Sequence, residues 1–134
     1  MDKFKKMFSD IKLRKMFPPE RTNQFFEALF GDPSEGAYDI ELRFKDAMDS
    51  RLEFEFLLRA RPGKCLACSY TFGLPRVFSK HPVIDIQGLI RKIAEMIKNE
   101  AEIKSWHLGA TRILSPEMHS IPLVISIKKK KHEK

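Results

Sequence analysis

The stretch that decides the fold is Tyr38-Asp-Ile-Glu-Leu-Arg-Phe-Lys45, in which apolar and polar residues alternate without interruption. Successive side chains of a β-strand point to opposite faces, so this alternation predicts a strand with one buried face and one polar face. The same pattern resumes at Leu52 and continues to Arg61. The two segments together predict an antiparallel β-hairpin.

The side chains of this hairpin favour one register. The pairs predicted on the buried face are Ile40–Leu58, Leu42–Phe56 and Phe44–Phe54. The oppositely charged pairs predicted on the polar face are Asp39–Arg59, Arg43–Glu55 and Lys45–Glu53. Each pair contributes about 0.2–1 kcal/mol, and a slip of one residue would turn every apolar side chain to solvent.

A third strand is predicted at 64–72, after the turn Arg61-Pro-Gly-Lys64. Proline fixes one backbone angle of such a turn, and glycine tolerates the positive φ that follows. The alternation places Leu66, Cys68, Tyr70 and Phe72 on the core face. The sheet is therefore predicted to bury one face and to leave the other to solvent or to a partner.

Helical spacing marks the N-terminal part of the chain. Residues 1–17 place Phe4, Met7, Phe8 and Ile11 at helical intervals among lysines, which predicts a basic amphipathic N-terminal helix. Such a helix binds a membrane surface or an acidic groove, or it docks on its own domain. Pro18-Pro19 ends it, and a second helix follows whose stripe of Phe25, Phe26, Leu29 and Phe30 ends at Gly31.

Another helix is predicted after Asp85, which suits an N-cap. Its buried face is predicted to contain Ile86, Leu89, Ile90, Ile93 and Ile97. Residues 76–82, which precede it, are predicted to be irregular or a single turn. Two strands follow, one from Trp106 to Thr111 and one from Ile121 to Ile127, and Pro122 indicates that the latter is an edge strand.

These elements predict an α+β fold in the order α-α-β-β-β-α-β-β. It is a five-stranded, mainly antiparallel sheet with two to three helices packed largely on one face. The predicted organisation is the N-terminal helix at 1–17, one α+β domain at 18–127 and a disordered lysine-rich tail at 128–134.

The composition of the chain argues against a membrane-spanning or secreted protein. The chain has 134 residues, two cysteines and a net charge of +7, of which 1–17 and 128–134 each contribute +4 and the body −1. It contains no apolar run of 18 residues and no apolar secretory segment at the N-terminus, which predicts a chain that does not span a membrane. Two cysteines without an export signal favour free thiols in a reducing compartment, so a cytoplasmic, bacterial-type protein is expected.

Cys65-Leu-Ala-Cys68 has the spacing of half a zinc site, and His81 follows at a finger-like distance. The second histidine of such a site should come within about five residues, but the next is His107. In a strand, the odd offset would also send the two sulfurs to opposite faces. We therefore predict no metal site and no cofactor, and keep a metal or redox pair at these cysteines as a second alternative.

Between Glu55 and Asp85 the chain contains no acidic residue. The cationic side chains of this window define a candidate anion-binding site: Arg59, Arg61, Lys64, Arg76, Lys80 and His81. Arginine binds phosphate and carboxylate groups in a bidentate manner, so one patch of these side chains could hold an acidic surface or a nucleic acid. Local ion pairing, such as Arg59 with Asp39, is the competing interpretation.

Several motifs resemble a family of small uncharacterised deltaproteobacterial proteins. They are Arg61-Pro-Gly-Lys-Cys-Leu-Ala-Cys68, Phe72-Gly-Leu-Pro75, Phe78-Ser-Lys-His-Pro-Val83 and parts of Phe25–Gly36. Members often carry a homeobox-type name, which this strand-rich chain does not support. The resemblance implies no activity, cofactor or site. The element order of 20–99 is also similar to a double-stranded-RNA-binding domain, but Asp85-Ile-Gln-Gly88 stands where that module carries its lysines.

No glycine-rich phosphate loop, nucleophile motif or metal-spaced His-Glu pair is present in the sequence. A non-enzymatic binding domain is therefore the favoured interpretation, with a protein partner or a second copy of the chain bound by the sheet or its edge strands. The alternative is anion or nucleic-acid binding by the window at 59–81 and the basic termini.

Overall fold

The computed structural model of the protein describes residues 2–31, 38–62 and 74–129. Within these ranges the helices are α1 (Asp2–Met7), α2 (Asp10–Met16), α3 (Glu20–Phe30), α4 (Leu74–Lys80) and α5 (Ile86–Ile97). The strands are β1 (Tyr38–Met48), β2 (Arg51–Ala60), β3 (Ala101–Leu108), β4 (Arg112–Ser115) and β5 (Met118–Lys129). The predicted strand at 64–72 lies outside the described residues.

The strands form one five-stranded antiparallel sheet in the order β1-β2-β5-β3, and β4 pairs with β5 beyond the end of β3. The predicted α+β class and its antiparallel sheet are confirmed. The element order matches the prediction only roughly, because the N-terminal region forms two helices, α4 is an additional helix and the last third contains three strands. Lys128 and Lys129, assigned to the tail by the sequence, continue β5.

The predicted hairpin register is confirmed from Asp39 to Phe44. All three predicted apolar pairs are present, as are the pairs Asp39–Arg59 and Arg43–Glu55. The register then shifts at Lys45, so Asp46 rather than Lys45 lies opposite Glu53. This shift is a β-bulge, an extra residue that the alternation of side chains does not reveal.

β2 pairs with β1 along one side and with β5 along the other. Both sides of β2 are therefore occupied, by β1 and by β5. The second of these strands comes from the far end of the chain, beyond what local pattern can indicate.

The prediction that Pro122 marks an edge strand is wrong, since β5 lies between β2 and the β3–β4 side of the sheet. The Pro122 carbonyl accepts a hydrogen bond of 2.8 Å from the Gly109 amide, in the loop that joins β3 to β4. Pro122 thus faces the one interval of that side where neither strand continues, and its missing N–H disturbs no regular ladder. Gly109 fits this close approach, because a Cβ there would lie only 2.8 Å from the proline ring.

The helices share one hydrophobic core with one face of the sheet. Phe25 of α3, Phe56 of β2 and Phe78 of α4 meet at its centre, with ring centroids 5.5–5.6 Å apart in edge-to-face geometry. Edge-to-face pairs stabilise such a core beyond simple area burial, by roughly 0.5–1.5 kcal/mol each.

The N-terminal segment forms two helices instead of the predicted one. Ser9 interrupts it and caps α2, its hydroxyl accepting a hydrogen bond from the Lys12 amide at 3.4 Å. The predicted stripe is only partly correct, because Phe4 and Phe8 are buried while Ile11 is 66% exposed. The break rotates α2 so that it buries other side chains, which are Leu13, Met16 and the following Phe17.

α5 follows the prediction, with all five expected apolar residues buried. Asp85 caps it by accepting a hydrogen bond of 3.0 Å from the Gly88 amide. A Cβ at Gly88 would collide with that carboxylate, so the glycine accommodates the cap. In contrast, most of the predicted irregular segment at 76–82 belongs to α4, which buries Leu74 and Phe78.

Candidate functional site

The predicted anion-binding residues are divided between the two layers of the fold. Arg59 lies at the end of β2, where its guanidinium group is 4.0 Å from the Glu41 carboxylate of β1. Arg76 and Lys80 are exposed on α4, in the helical layer. Lys64, Cys65 and Cys68 lie outside the described residues.

Arg61 has a structural environment. Its guanidinium group contacts the Asp39 carboxylate at 3.1 Å, binds the Asn23 side-chain oxygen at 2.9 Å and lies 5.3 Å above the Phe26 ring. Asn23 and Phe26 belong to α3, so Arg61 connects this helix to the β1–β2 hairpin. A cation held by a carboxylate, an amide and a ring has little capacity left for an external anion.

His81 is likewise engaged within the protein. Its ring packs edge-to-face on Phe25 with 4.8 Å between centroids, and its Nδ1 accepts a hydrogen bond of 3.2 Å from the Val83 amide. Among the window residues that are described, Arg76 and Lys80 are the two whose charged groups have no protein partner. They are four residues apart and therefore share one face of α4.

The described part of the structure contains cavities along β1. One of about 200 Å³ is lined on its charged side by Asp10, Arg14, Asp39, Glu41, Arg43 and Arg59. Arg43 contacts Glu41 at 2.7 Å and Asp10 at 3.7 Å, and its hydrogen bond to Glu41 raises the pKa of the guanidinium group. Acidic and basic groups are present in equal number here, so the cavity does not select one sign of charge.

The edges of the sheet differ more clearly than its cavities. Thr22 of α3 covers the β1 edge at Ile40, near the start of the strand. Its hydroxyl accepts a hydrogen bond from the Ile40 amide at 3.1 Å and donates one to the Ile40 carbonyl at 3.5 Å. Further along β1, the bulge places the exposed Lys45 at the edge. β3 likewise has a bulge, at the exposed Lys104. Bulges and lysines discourage pairing with another chain.

β4 is the exception. Its bulge residue is Leu114, not a lysine, and Ile113 and Leu114 are 60% and 54% exposed. The hairpin of β4 and β5 is anchored at its turn, because the Glu117 carbonyl accepts a hydrogen bond of 2.8 Å from the Ala60 amide of β2. β4 is therefore a firmly held edge strand that displays two large aliphatic side chains.

β4 was not predicted from the sequence, which assigned no strand between Thr111 and Ile121. The available signal was the apolar pair Ile113-Leu114 directly before a proline turn. Alternation alone could not show that both side chains are exposed, because that depends on the bulge between Ile113 and Ser115.

The core side of β5 also contains a buried histidine. His119 lies opposite Ile113 of β4 and Leu58 of β2 and is 1% exposed. Burial lowers the pKa of its imidazole. In the described ranges, no three His, Cys, Asp or Glu side chains come together as a metal ion would require.

Comparison of the chain with protein-family models, curated proteins and solved structures found no match. The resemblance to the deltaproteobacterial family therefore stays a prediction. None of the described helices has the length and apolar composition needed to cross a membrane.

Proposed function

We propose that this protein is a non-enzymatic interaction domain that joins two copies of itself through the edge of β4. The observation that supports the proposal is the exposure of Ile113 and Leu114 on an edge strand without a lysine at its bulge. The non-enzymatic part of the proposal rests on the absence of a catalytic motif from the sequence.

The sequence of β4 is compatible with antiparallel pairing to itself. A two-fold axis normal to the sheet sets each residue opposite one on the same face, so an axis at Ile113 places Ile113 opposite Ile113 of the second copy and Arg112 opposite Leu114. Apolar side chains then meet each other, and no two like charges are opposed. The backbone groups on the outer side of β4 gain partners by strand addition.

The interface is short, and its size determines the expected affinity. A strand of four residues buries far less than the roughly 1,200 Å² of a standard stable interface. We therefore expect a weak dimer with a dissociation constant of about 10 µM to 1 mM.

Sedimentation equilibrium over a wide concentration range tests the proposal. We expect the native chain to dimerise reversibly and the double variant Ile113→Lys/Leu114→Lys to remain monomeric. The matched control, Met48→Lys/Val77→Lys, adds the same charge at two other exposed apolar positions and should dimerise like the native chain. A native chain that is monomeric throughout, or a control that loses the dimer equally, would contradict the proposal. If the chain were monomeric and another protein paired with β4 as an added strand, that protein rather than a second copy would be the partner of this edge.

Nucleic-acid binding by the window at 59–81 stays a second, untested proposal. The exposed pair Arg76 and Lys80 favours it, whereas the ion pairs of Arg59 and Arg61 count against it. Duplex binding that weakens steeply with salt and is lost in Arg76→Glu/Lys80→Glu would support this alternative.

A further inference from the structure

The N-terminal helices carry the densest group of unpaired cations in the described part of the chain. The cations are Lys5, Lys6, Lys12, Arg14 and Lys15. Together with the neighbouring Ile11 they form what is here named the N-terminal basic surface. All six side chains are exposed, and none of the five cations makes an ion pair with a described residue. Cations elsewhere are frequently paired, such as Arg51 with Glu53 at 3.2 Å and Lys98 with Glu95 at 2.7 Å.

The packing of α1 and α2 leaves these cations exposed, and Arg14 also lines the cavity along β1. Both helices bury their apolar side chains on the same face of the sheet, where Phe8 contacts Phe54 and Phe17 contacts Phe56. With 3.6 residues per turn, Ile11 and Lys15 lie on the side of α2 opposite the buried Leu13. Two acidic side chains lie in this region: Asp10, which is 3.7 Å from Arg43, and the exposed Glu20, which is close to Ile11 and Lys15.

Ile11 adds an exposed apolar side chain to this basic surface. It is the most exposed large hydrophobic residue in the described ranges, and it lies among Lys12, Arg14 and Lys15. Beside it is a shallow depression of about 380 Å³, whose lining also includes Pro18, Pro19 and one acidic residue, Glu20. An exposed aliphatic residue among cations fits a bilayer surface, whose headgroups are negatively charged and whose interior is apolar.

We propose that the N-terminal basic surface binds anionic phospholipid membranes, with Lys5, Lys6, Lys12, Arg14 and Lys15 over the headgroups and Ile11 inserted between them. This is peripheral binding in the plane of the membrane surface. Each Lys or Arg near an anionic surface strengthens binding about fivefold. Nucleic acid offers similar charge but no apolar layer for Ile11, so the membrane is the better match.

Co-sedimentation of the full chain with vesicles tests this proposal. We expect binding to phosphatidylcholine vesicles that contain phosphatidylserine, little binding to phosphatidylcholine alone, and loss of binding between about 0.1 M and about 1 M salt. Lys12→Glu/Lys15→Glu should weaken binding at least about 25-fold. Ile11→Ser should weaken it about tenfold by removing the inserted side chain.

The matched control is Arg91→Glu/Lys92→Glu on α5, which changes the net charge by the same amount. α5 packs over β3, at the opposite end of the sheet from the β1 strand that α1 and α2 contact. This variant should bind vesicles like the native chain. Circular dichroism and thermal midpoints should be unchanged in all three variants, because every substituted side chain is exposed.

Three outcomes would overturn the proposal. The first is equal binding to anionic and neutral vesicles, or none to either. The second is equal loss in the α5 control, which would show a general effect of net charge. The third is duplex DNA bound more tightly than the vesicles, with Ile11→Ser without effect on either. None of these depends on dimerisation through β4.

Discussion

The β1 edge and the β4 edge of the sheet are protected to very different degrees. β1 is closed by a threonine of α3 at Ile40, packed by α1 and α2 and interrupted by a bulge at Lys45. β4 has a leucine at its bulge and exposes two aliphatic side chains. The difference shows that β1 has several features that discourage strand pairing, whereas β4 lacks the lysine and the helical cover.

The largest expected effect comes from loosening the cover of β1. Phe8 stacks on Phe44 with 5.6 Å between ring centroids and meets Phe54 edge-to-face at 4.9 Å. Because Phe8→Ala leaves a cavity between these rings, we expect it to lower the free energy of unfolding by about 3–5 kcal/mol. Urea denaturation measures this, with the exposed Ile11→Ala as a control that should change stability little. A loss below about 1 kcal/mol would mean that α1 and α2 contribute little to the β1 side.

A smaller effect is expected from opening the β1 edge at one point. Thr22→Val removes the hydroxyl that serves the Ile40 amide and carbonyl while keeping the shape of the side chain. Leaving these groups without that partner should cost about 1–3 kcal/mol. Thr22→Ser keeps the hydroxyl and should retain most of the stability, as judged from the urea midpoint. If Thr22→Val retained its stability and Thr22→Ser did not, methyl packing rather than the hydrogen bonds would account for Thr22.

The β4 side should respond selectively to acid. Burial lowers the pKa of His119, so the unfolded chain binds this proton at a higher pH than the folded chain. Its contribution is fully present above the unfolded value of about 6.5 and is lost as pH falls through 6.5 toward the folded pKa. Urea midpoints measured across this range should fall less steeply in His119→Gln than in the native chain. Parallel curves would refute the role of His119.

Alkali provides the corresponding comparison on the β1 side. Burial raises the pKa of the Tyr38 hydroxyl, so the unfolded chain loses this proton first. Stability is therefore expected to fall as pH rises above about 10, and Tyr38→Phe should remove that part of the fall.

The hairpin and α5 were predictable because their signals are local. The alternation and charge pairing of 38–61 specify the register, and Asp85 followed by five spaced aliphatic residues specifies α5. The bulges and the central position of β5 were not predictable, since they depend on pairing between distant segments. The same limit applies to the basic window, whose arginines meet Asp39 and Glu41 only after β1 pairs with β2.

The short loop at Gly109, opposite Pro122, has a mechanical consequence. It divides the pairing along one side of β5 into two separate segments. β3 pairs with Leu123–Lys129, and β4 pairs with Met118–Ser120. Pro122, which lies between the two segments, has no N–H to donate to a backbone hydrogen bond. Loss of the β4–β5 hydrogen bonds therefore does not have to spread into the β3–β5 pairing. The strand that displays Ile113 and Leu114 is thus held independently of β3, by its pairing with β5 and by the hydrogen bond between the Ala60 amide and the Glu117 carbonyl.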